Sequence, residues 1–517
     1  MTNPVPIALA QLNAHLGNID ANISRLAGAR ANAAANGAKI IVTPEMYLSG
    51  YPCDDLVLRD DFMNDVAIGI DKLAALTSDG GPAIAVGAPT KDSGRIYNSV
   101  FVLDDGKQIA RFDKVNLPNY GVFDDKRNFT AGQMPGPIML RGLKIGFPIC
   151  EDIWEPDVAE CLEESGADLI IAMNASPFDS TKPERRMQNV IARGVETGLP
   201  VIYVNMIGGQ DELVYDGGSF AINTGGNLAS CAPSFSESVL VVTAQKSMGV
   251  LTLTGQLSPP DSDLTAIYRG LCLGLRDYVQ KNGFPGVVLG LSGGIDSAVT
   301  STLCAKSGLE TIAVNMPIHQ ESSQYDLAKR HIEWLESRWA NVSSHLVDLT
   351  ESYDSYVESA LDGLEISELS LANTRARLRM TTLYAISGSR KGIVVGTGNK
   401  VEDFGVGFYT KYGDGGVDIS PIADLLKSEV YALAKEMSVI EDIQNSIPND
   451  GLWADGRTDE DQIGATYEEI EWAMAQADRA QREGLSNRQK EVLRIYQKLH
   501  ESNSHKMKPI PIYIKNS

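Results

Sequence analysis

Cysteine is scarce: six residues in 517, at positions 53, 150, 161, 231, 272 and 304, with no CxxC pair among them. That spacing supplies neither a zinc-ligand pattern nor a disulfide framework, so a reducing, cytoplasmic setting is expected. No apolar run approaches the roughly 18–20 residues that span a bilayer, and the first residues lack the basic stretch and apolar core of a secretory leader. No membrane partner is expected. Positive charge is short as well, with 45 Lys and Arg against 67 Asp and Glu and a formal net charge of −22. A surface of that sign repels phosphate backbones, and nucleic acid is not an expected partner. Small nucleotides stay open, since local amides, a metal ion and a few lysines can hold them. Internal repeats and low-complexity tracts are missing too.

What the chain does have is length, glycine and alternation. Single cores stop growing near about 250–300 residues, so 517 residues imply two domains of similar size. The 48 glycines suit α/β units with tight strand–helix turns. Strands are expected over 5–11, 39–43, 83–88, 98–103, 143–149, 169–173 and 201–205, with helices over 19–36 and 185–197, a layered α/β sandwich. The polar, Gly- and Pro-containing stretch 256–263 reads as a linker between a domain of 1–255 and one of 264–517. Beyond it, helices over 264–281, 297–307 and 324–339 alternate with strands over 287–291, 311–316, 344–348 and 392–397. That alternation predicts a doubly wound parallel sheet of Rossmann-like kind.

The sharpest motif is GLSGGIDS at 290–297, between an expected strand and an expected helix. Gly290, Leu291, Ser292, Gly293, Gly294, Ile295, Asp296 and Ser297 form a loop that feeds a helix N-terminus, where backbone N–H groups favour an anion. Gly293 and Gly294 let the backbone turn and approach phosphate oxygens, and Ser292 and Ser297 add hydroxyl donors. Asp296 is the loop's one charge, and a carboxylate beside polyphosphate makes sense mainly as a Mg²⁺ ligand. No lysine follows the glycines, so this is not the GxxxxGK[ST] loop. Such a loop suits an enzyme that adenylates a carboxylate with ATP and releases pyrophosphate. In GTGNKVE at 396–402, Thr397 can meet the adenine or ribose end of ATP, and Glu402 is poised for metal or nucleotide hydroxyls. The glycine-rich stretch 408–418 has the composition of a ligand-shaping loop.

Three separated residues in the first half point to amide hydrolysis. Cys150 lies in GFPICEDIW, where a strand is expected to end and a helix to begin; a helix N-terminus there would favour the thiolate. Glu45, in TPEMYLSGYP, can take the thiol proton and return it to leaving ammonia, and Lys114, in FDKVNLP, can steady the developing oxyanion. The other five cysteines read as structural.

These motifs carry two resemblances. PE, DKVNLPN and CEDIW, in that order, resemble the Glu–Lys–Cys triad of the nitrilase superfamily, from residue 5 to about 242. That resemblance implies an α-β-β-α sandwich, with Tyr120, Ser176 and Lys182 holding glutamine; Asp125 stands where the family often has Glu. The loop 290–297 resembles the PP-loop of N-type ATP pyrophosphatases. NTRARLRM at 373–380, GTGNKVE, TKYGDGGVDISPI at 410–422 and LLKSEV at 425–430 resemble the synthetase domain of NAD⁺ synthetases. This second resemblance implies that Asn373, Arg377, Glu402, Lys411, Asp414 and Asp418 border deamido-NAD, that Lys427 contacts ATP, and that Asp296 and Glu402 flank Mg²⁺. SHKMKP at 504–509 resembles the family's basic tail, whose lysine, here Lys506, closes over phosphates. Met507 replaces a usual arginine, and Asn449 a usual Ser or Thr.

In sequence order the pair resembles the glutamine-dependent NAD⁺ synthetase family. The resemblance implies adenylation of the deamido-NAD carboxylate, displacement of AMP by ammonia drawn from glutamine through a Cys150 thioester, and a homo-oligomer built on the synthetase domain. Two alternatives stay open: another amidotransferase with an SGGxDS loop, and an amidase whose second half only senses nucleotide.

Overall fold

The computed structural model describes residues 3–320, 322–448, 458–477 and 484–515; Asn449 lies outside the described residues. By internal contacts the chain divides into two compact units, Met1–Gly274 and Leu275–Ser517. The division falls inside the helix Asp263–Lys281. The stretch expected as a linker is tied to strand Leu228–Cys231, because the Cys231 N–H donates to Gln256 O at 2.9 Å and Cys231 O accepts from the Ser258 N–H at 3.1 Å.

In the first unit the strands Ile40–Val42, Leu169–Asn174 and Val201–Asn205 are buried along their whole length, as continuous apolar runs covered on both faces must be. Two sheets of seven and six strands result. At the centre of the larger one, Val5–Gln11, Ile40–Val42 and Ala83–Asp92 pair in parallel, while Ala83–Asp92, Arg95–Asp104 and Lys107–Asp113 form an antiparallel meander. Alternation of side chains then makes three apolar seams. Ile7, Leu9 and Val42 meet Ile145, Ile171 and Val204 between the sheets. Ala8 and Ile41 meet Leu26 and Val66 of the helices Ile19–Ala35 and Asp60–Leu76. Ile170 and Tyr203 meet Leu162 and Val190 of the helices Pro156–Glu164 and Lys182–Thr197. This is the expected α-β-β-α sandwich. The helix Lys182–Thr197 begins three residues before its expected start because Pro183, with its fixed φ and missing N–H, fits the first turn. Beyond 205 the structure adds strands that the sequence pattern does not announce. Ile207–Gln210 and Leu213–Asp216 form a hairpin, and Ser238–Ser247 returns antiparallel to Val5–Gln11 with Leu9 opposite Leu240.

The second unit holds four parallel strands, Gly286–Gly290, Glu310–Asn315, Val342–Leu346 and Ile393–Val394, in the spatial order third, second, first, fourth. That is the order of a doubly wound sheet, whose ligand crevice lies at the carboxyl ends of the strands. Helices cover both faces: Val287 and Leu289 pack on Leu275 and Val279, and Val288, Val314 and Val394 pack on Leu383 and Tyr353. The strand expected over 392–397 shrinks to Ile393–Val394, followed by a single parallel bridge from Val395 to Ile419. Gly396 then packs so closely that a Cβ there would stand 2.7 Å from Ser420 Oγ. The helices Asp459–Ile463, Tyr467–Ala477 and Asn487–Met507 gather around the π-helical turn Val401–Val406 in a core containing Val401, Val406, Ile470 and Leu493. Among the described residues no helix is long and apolar enough to cross a membrane.

One glycine shows how tightly the first unit is built around Glu45. A Cβ on Gly87 would collide with Met46 N and lie 2.7 Å from Pro44 O and 2.9 Å from Glu45 C. Gly87→Ala is therefore expected to destabilise the protein by about 1–3 kcal/mol, the usual range for overpacking. Denaturant titration should show a lower midpoint; an unchanged midpoint would mean that the segment carrying Glu45 can retreat.

Candidate functional site

In the first unit Glu45 follows strand Ile40–Val42, Lys114 follows Lys107–Asp113, and Cys150 lies just beyond Leu143–Gly146. All three are buried. Lys114 Nζ donates to Glu45 Oε1 at 2.8 Å and to Asp125 Oδ2 at 2.7 Å, so one ammonium is shared by two carboxylates. Asn98 Nδ2 also donates to Glu45 Oε1 at 2.7 Å, and the Ala175 N–H donates to Oε2 at 2.9 Å. Both oxygens of Glu45 are thereby held, as a buried carboxylate requires. Burial pulls the Lys114 ammonium toward neutrality, but Glu45, Cys150 and Asp125 together hold it well above the ordinary lysine range.

Cys150 opens a single 3₁₀ turn, Cys150–Ile153, at φ +48°, a left-handed conformation that costs a non-glycine residue roughly 1–3 kcal/mol. Asp152 stabilises the turn by accepting from the N–H groups of Ile149 at 2.9 Å, Val115 at 3.1 Å and Asn116 at 2.7 Å. The same carboxylate thus ties the Lys114 segment to the Cys150 segment. The expectation of a thiolate is corrected here. A single short turn provides little dipole, whereas burial, followed by the charge of Glu45, pushes the thiol well above its ordinary range against the pull of Lys114. Burial and the Glu45 carboxylate thus favour the protonated thiol.

The three residues expected to hold glutamine surround this cluster. The exposed Tyr120 donates its hydroxyl to Glu151 Oε2 at 2.9 Å, next to Cys150 in sequence. Ser176 is buried, and its Oγ accepts from Arg186 Nε at 3.1 Å. Lys182 Nζ lies 4.8 Å from the Trp154 ring centre and 5.9 Å from that of Phe123, and partial burial pulls its ammonium below the ordinary lysine range. Arg186, one helical turn beyond Lys182, also pairs with the buried Asp216 at 2.8 Å. It fixes the segment whose Ala175 N–H holds Glu45.

The second unit repeats the device at its GLSGGIDS loop. Leu291 closes the first strand by donating its N–H to Val314 O at 2.9 Å. Gly293 turns at φ +90°, and a Cβ there would stand 2.6 Å from Gln324 O. The N–H of Gly294 donates to Ser292 Oγ at 3.2 Å, and Ser297 Oγ donates to Gly294 O at 3.0 Å, which shapes the loop at the start of helix Ile295–Ser307. Asp296, on the first turn of that helix, faces Lys427: Nζ to Oδ2 is 2.6 Å, and the same ammonium reaches Glu402 Oε1 at 2.9 Å. Burial opposes the Lys427 charge, but Asp296 and Glu402 outweigh it and raise the ammonium above its ordinary range. Burial likewise opposes the Glu402 charge, yet Lys427 and a hydrogen bond from Tyr467 leave that carboxyl below its ordinary range. Thr397 sits in the loop just before Asn399, whose Nδ2 donates to Asp296 Oδ1 at 3.1 Å.

Apart from Glu402, which pairs with Lys427, the residues expected around deamido-NAD fall into two groups. Asn373 accepts from Thr410 Oγ1 at 2.7 Å, Asp414 accepts from Thr410 N–H at 2.9 Å, and Arg377 reaches Lys411 O at 3.4 Å. Lys411 Nζ donates to His505 O at 2.9 Å, and Lys506 Nζ donates to Gly407 O at 2.7 Å and Tyr409 O at 2.9 Å. Those residues and the end of helix Asn487–Met507 converge on one loop. Asp418 stands apart from them by its bonds, accepting from Tyr384 Oη at 2.9 Å and from Val394 N–H at 2.7 Å.

Residues 6–251 match the carbon-nitrogen hydrolase family and residues 267–510 the NAD synthase family. A glutamine-dependent NAD(+) synthetase of Rhodobacter capsulatus is 38% identical over 442 residues, covering 83% of this chain and 78% of the relative. The chain belongs to the glutamine-dependent NAD(+) synthetase family. A relative of the same name from Acinetobacter baylyi is 32% identical over 443 residues, 84% of this chain and 80% of its own. Among solved structures, the glutamine-dependent NAD+ synthetase of Acinetobacter baumannii in complex with adenosine diphosphate matches with a TM-score of 0.81 at 29% identity, covering 99% of this chain and 96% of that one.

Set against the family motifs, several partners escape sequence reading. Asn98, Arg186 and Asp216 carry no motif of their own, and Asp152 lies inside CEDIW without a role that the motif announces. Tyr467, whose hydroxyl donates to Glu402 Oε1 at 2.7 Å and whose ring lies 4.8 Å from Lys427 Nζ, starts an ordinary-looking helix. Asn399 was within reach, since it lies inside GTGNKVE.

The raised Cys150 pKa gives a direct optical expectation. The difference in absorbance near 240 nm between the protein and Cys150→Ser should show no thiolate band from about pH 6 to 8, because a buried thiol beside a carboxylate keeps its proton there. A band already present at neutral pH would restore the thiolate reading.

Proposed function

We propose that this chain carries out the ATP-dependent amidation of deamido-NAD to NAD⁺, the last step of NAD biosynthesis, with glutamine as nitrogen donor. The observation that carries this reading is the pairing in one chain of a buried Glu45–Lys114–Cys150 cluster with an Asp296–Lys427–Glu402 cluster at an SGGxDS loop. Residues 1–255 supply the glutaminase and residues 264–517 the synthetase.

In the first half-reaction Glu45 removes the Cys150 proton as sulfur adds to the side-chain amide of glutamine. A neutral resting thiol makes that base necessary. The Lys114 ammonium steadies the oxyanion, and Glu45 hands the proton to departing ammonia. A glutamyl thioester on Cys150 remains, and water activated by Glu45 releases glutamate. Tyr120, Ser176 and Lys182 help hold glutamine.

In the second half-reaction the N–H groups of the 290–297 loop and Lys427 bind the ATP phosphates, with Thr397 at the nucleoside end. Asn373, Arg377, Glu402, Lys411, Asp414, Asp418 and Lys506 bind deamido-NAD. The nicotinate carboxylate attacks the α-phosphorus, pyrophosphate leaves, and ammonia then displaces AMP. Among the described residues no three metal-ligating side chains converge, but two carboxylates suit Mg²⁺, which takes few protein oxygens and completes its shell with phosphate and water. Asp296 and Glu402 would hold it, and bound there it would neutralise charge building on the leaving pyrophosphate. The protein works in the cytoplasm as a homo-oligomer built on its synthetase domain.

The test uses NAD⁺ and pyrophosphate formation from ATP and deamido-NAD, with glutamine or ammonium as donor. Cys150→Ala is expected to lose glutamine-driven synthesis by at least about 10³-fold, the scale of losing a nucleophile, while ammonium-driven synthesis persists. Asp296→Ala is expected to lose both. Loss of the ammonium-driven reaction in Cys150→Ala would refute this division of labour, and absence of NAD⁺ with every donor would favour another amidotransferase.

A further inference from the structure

The Lys427 ammonium reaches both candidate metal ligands at once. It stands 2.6 Å from Asp296 Oδ2 and 2.9 Å from Glu402 Oε1, and its side chain is 2% exposed. The ring of Tyr467 covers it at 4.8 Å. The two carboxylates are themselves fixed, Asp296 by Asn399 at 3.1 Å and Glu402 by the Tyr467 hydroxyl at 2.7 Å.

Charge then decides the order of events. Two carboxylates and one ammonium leave a single negative charge, a weak attraction for a divalent ion, and the Asp403 carboxyl that faces the pair is held toward its neutral form by burial and by Glu402. Adding that ion with the lysine in place would set two cations in contact in a half-buried site, where like charges are poorly screened. A polyphosphate changes both terms: it brings negative charge to the loop at the N-terminus of helix Ile295–Ser307, and it gives the ammonium a new partner. Lysine suits such a change, because its compact charge rides on a flexible stem and needs no planar, two-pronged partner.

We propose that Lys427 is a resident cation at the Asp296–Glu402 pair, which a nucleotide polyphosphate draws aside, so that a divalent ion enters this site together with nucleotide and not before it. This rests on the reading that Asp296 and Glu402 hold the metal. It adds to that reading a rule of entry and a second duty for the lysine.

The experiment titrates the full-length protein with Mn²⁺ and follows water-proton relaxation, which separates protein-bound ion from the free Mn²⁺–nucleotide complex. Without nucleotide, no tight site is expected. With α,β-methylene-ATP, one site per chain should appear, at least tenfold tighter, and by linkage Mn²⁺ should tighten nucleotide binding by the same factor. Lys427→Met is expected to gain a nucleotide-independent site at least tenfold tighter than the unmodified protein, together with a Mn²⁺-dependent rise in Tm. Equal Mn²⁺ affinity with and without nucleotide in the unmodified protein would overturn the proposal. So would a folded Lys427→Met that binds Mn²⁺ no better than the unmodified protein. Should that variant not fold, the linkage in the unmodified protein still decides: tenfold coupling supports the proposal and none overturns it. A nucleotide-dependent Mn²⁺ site that survives both Asp296→Asn and Glu402→Gln would instead overturn the metal assignment beneath it.

Discussion

A buried lysine shared between two carboxylates stands at the centre of each unit: Lys114 between Glu45 and Asp125, and Lys427 between Asp296 and Glu402. Such an arrangement is a demanding thing to fold. Desolvating three charges is unfavourable, and removing one partner from a buried pair typically costs about 3–5 kcal/mol. Geometry must therefore be good enough for mutual attraction to offset the lost water. The surrounding sheets provide it. In the first unit Glu45, Lys114 and Cys150 each follow a strand closely, so rigid elements set their separations.

Each cluster is then held by side chains that take no part in the proposed chemistry. Asp152 gathers three backbone N–H groups from the segments of Lys114 and Cys150. Arg186 and Asn205 fix the backbone at Ser176, so that the neighbouring Ala175 N–H can reach Glu45. In the second unit the turn carrying Glu402 is braced by one face of the last helix. His500 bonds Gly405 O at 2.8 Å, Asn503 bonds Val406 O at 2.9 Å, and Lys506 bonds Gly407 O at 2.7 Å. These donors stand three residues apart, close to one helical turn each, and they satisfy the carbonyls that a π-helical turn leaves open. The last helix is thus coupled to the position of a single carboxylate.

Much of this was legible in the residues. Short apolar runs alternating with helical patterns announced the strands, and GLSGGIDS announced a loop at a helix start because each of its residue types has a reason to be there. The Glu45, Lys114 and Cys150 positions were readable only as a set, since each alone has a commonplace alternative. The protonation state of Cys150 was not readable, because it depends on burial and on Glu45, a residue far away in sequence. Asp125 was visible only as a departure from a family pattern, although its carboxylate holds half of the Lys114 ammonium. Tyr467 gave no signal at all: a tyrosine at the start of a helix is common, and its contacts with Glu402 and Lys427 exist only in three dimensions. The strand expected over 392–397 is too long because the apolar run Ile393, Val394, Val395 leads on to Gly396 without a break in pattern, whereas close packing against Ser420 ends the pairing early.

The central claim is that Cys150 becomes a nucleophile only when Glu45 takes its proton and Lys114 receives the oxyanion. Intact-mass spectrometry of acid-quenched protein mixed with glutamine tests this most directly. The account predicts a transient mass gain of one glutamyl group, mapped to Cys150 by peptide digestion, and its disappearance in Glu45→Gln with the fold retained. An adduct that forms as fast in Glu45→Gln, or one that maps to another residue, would contradict it.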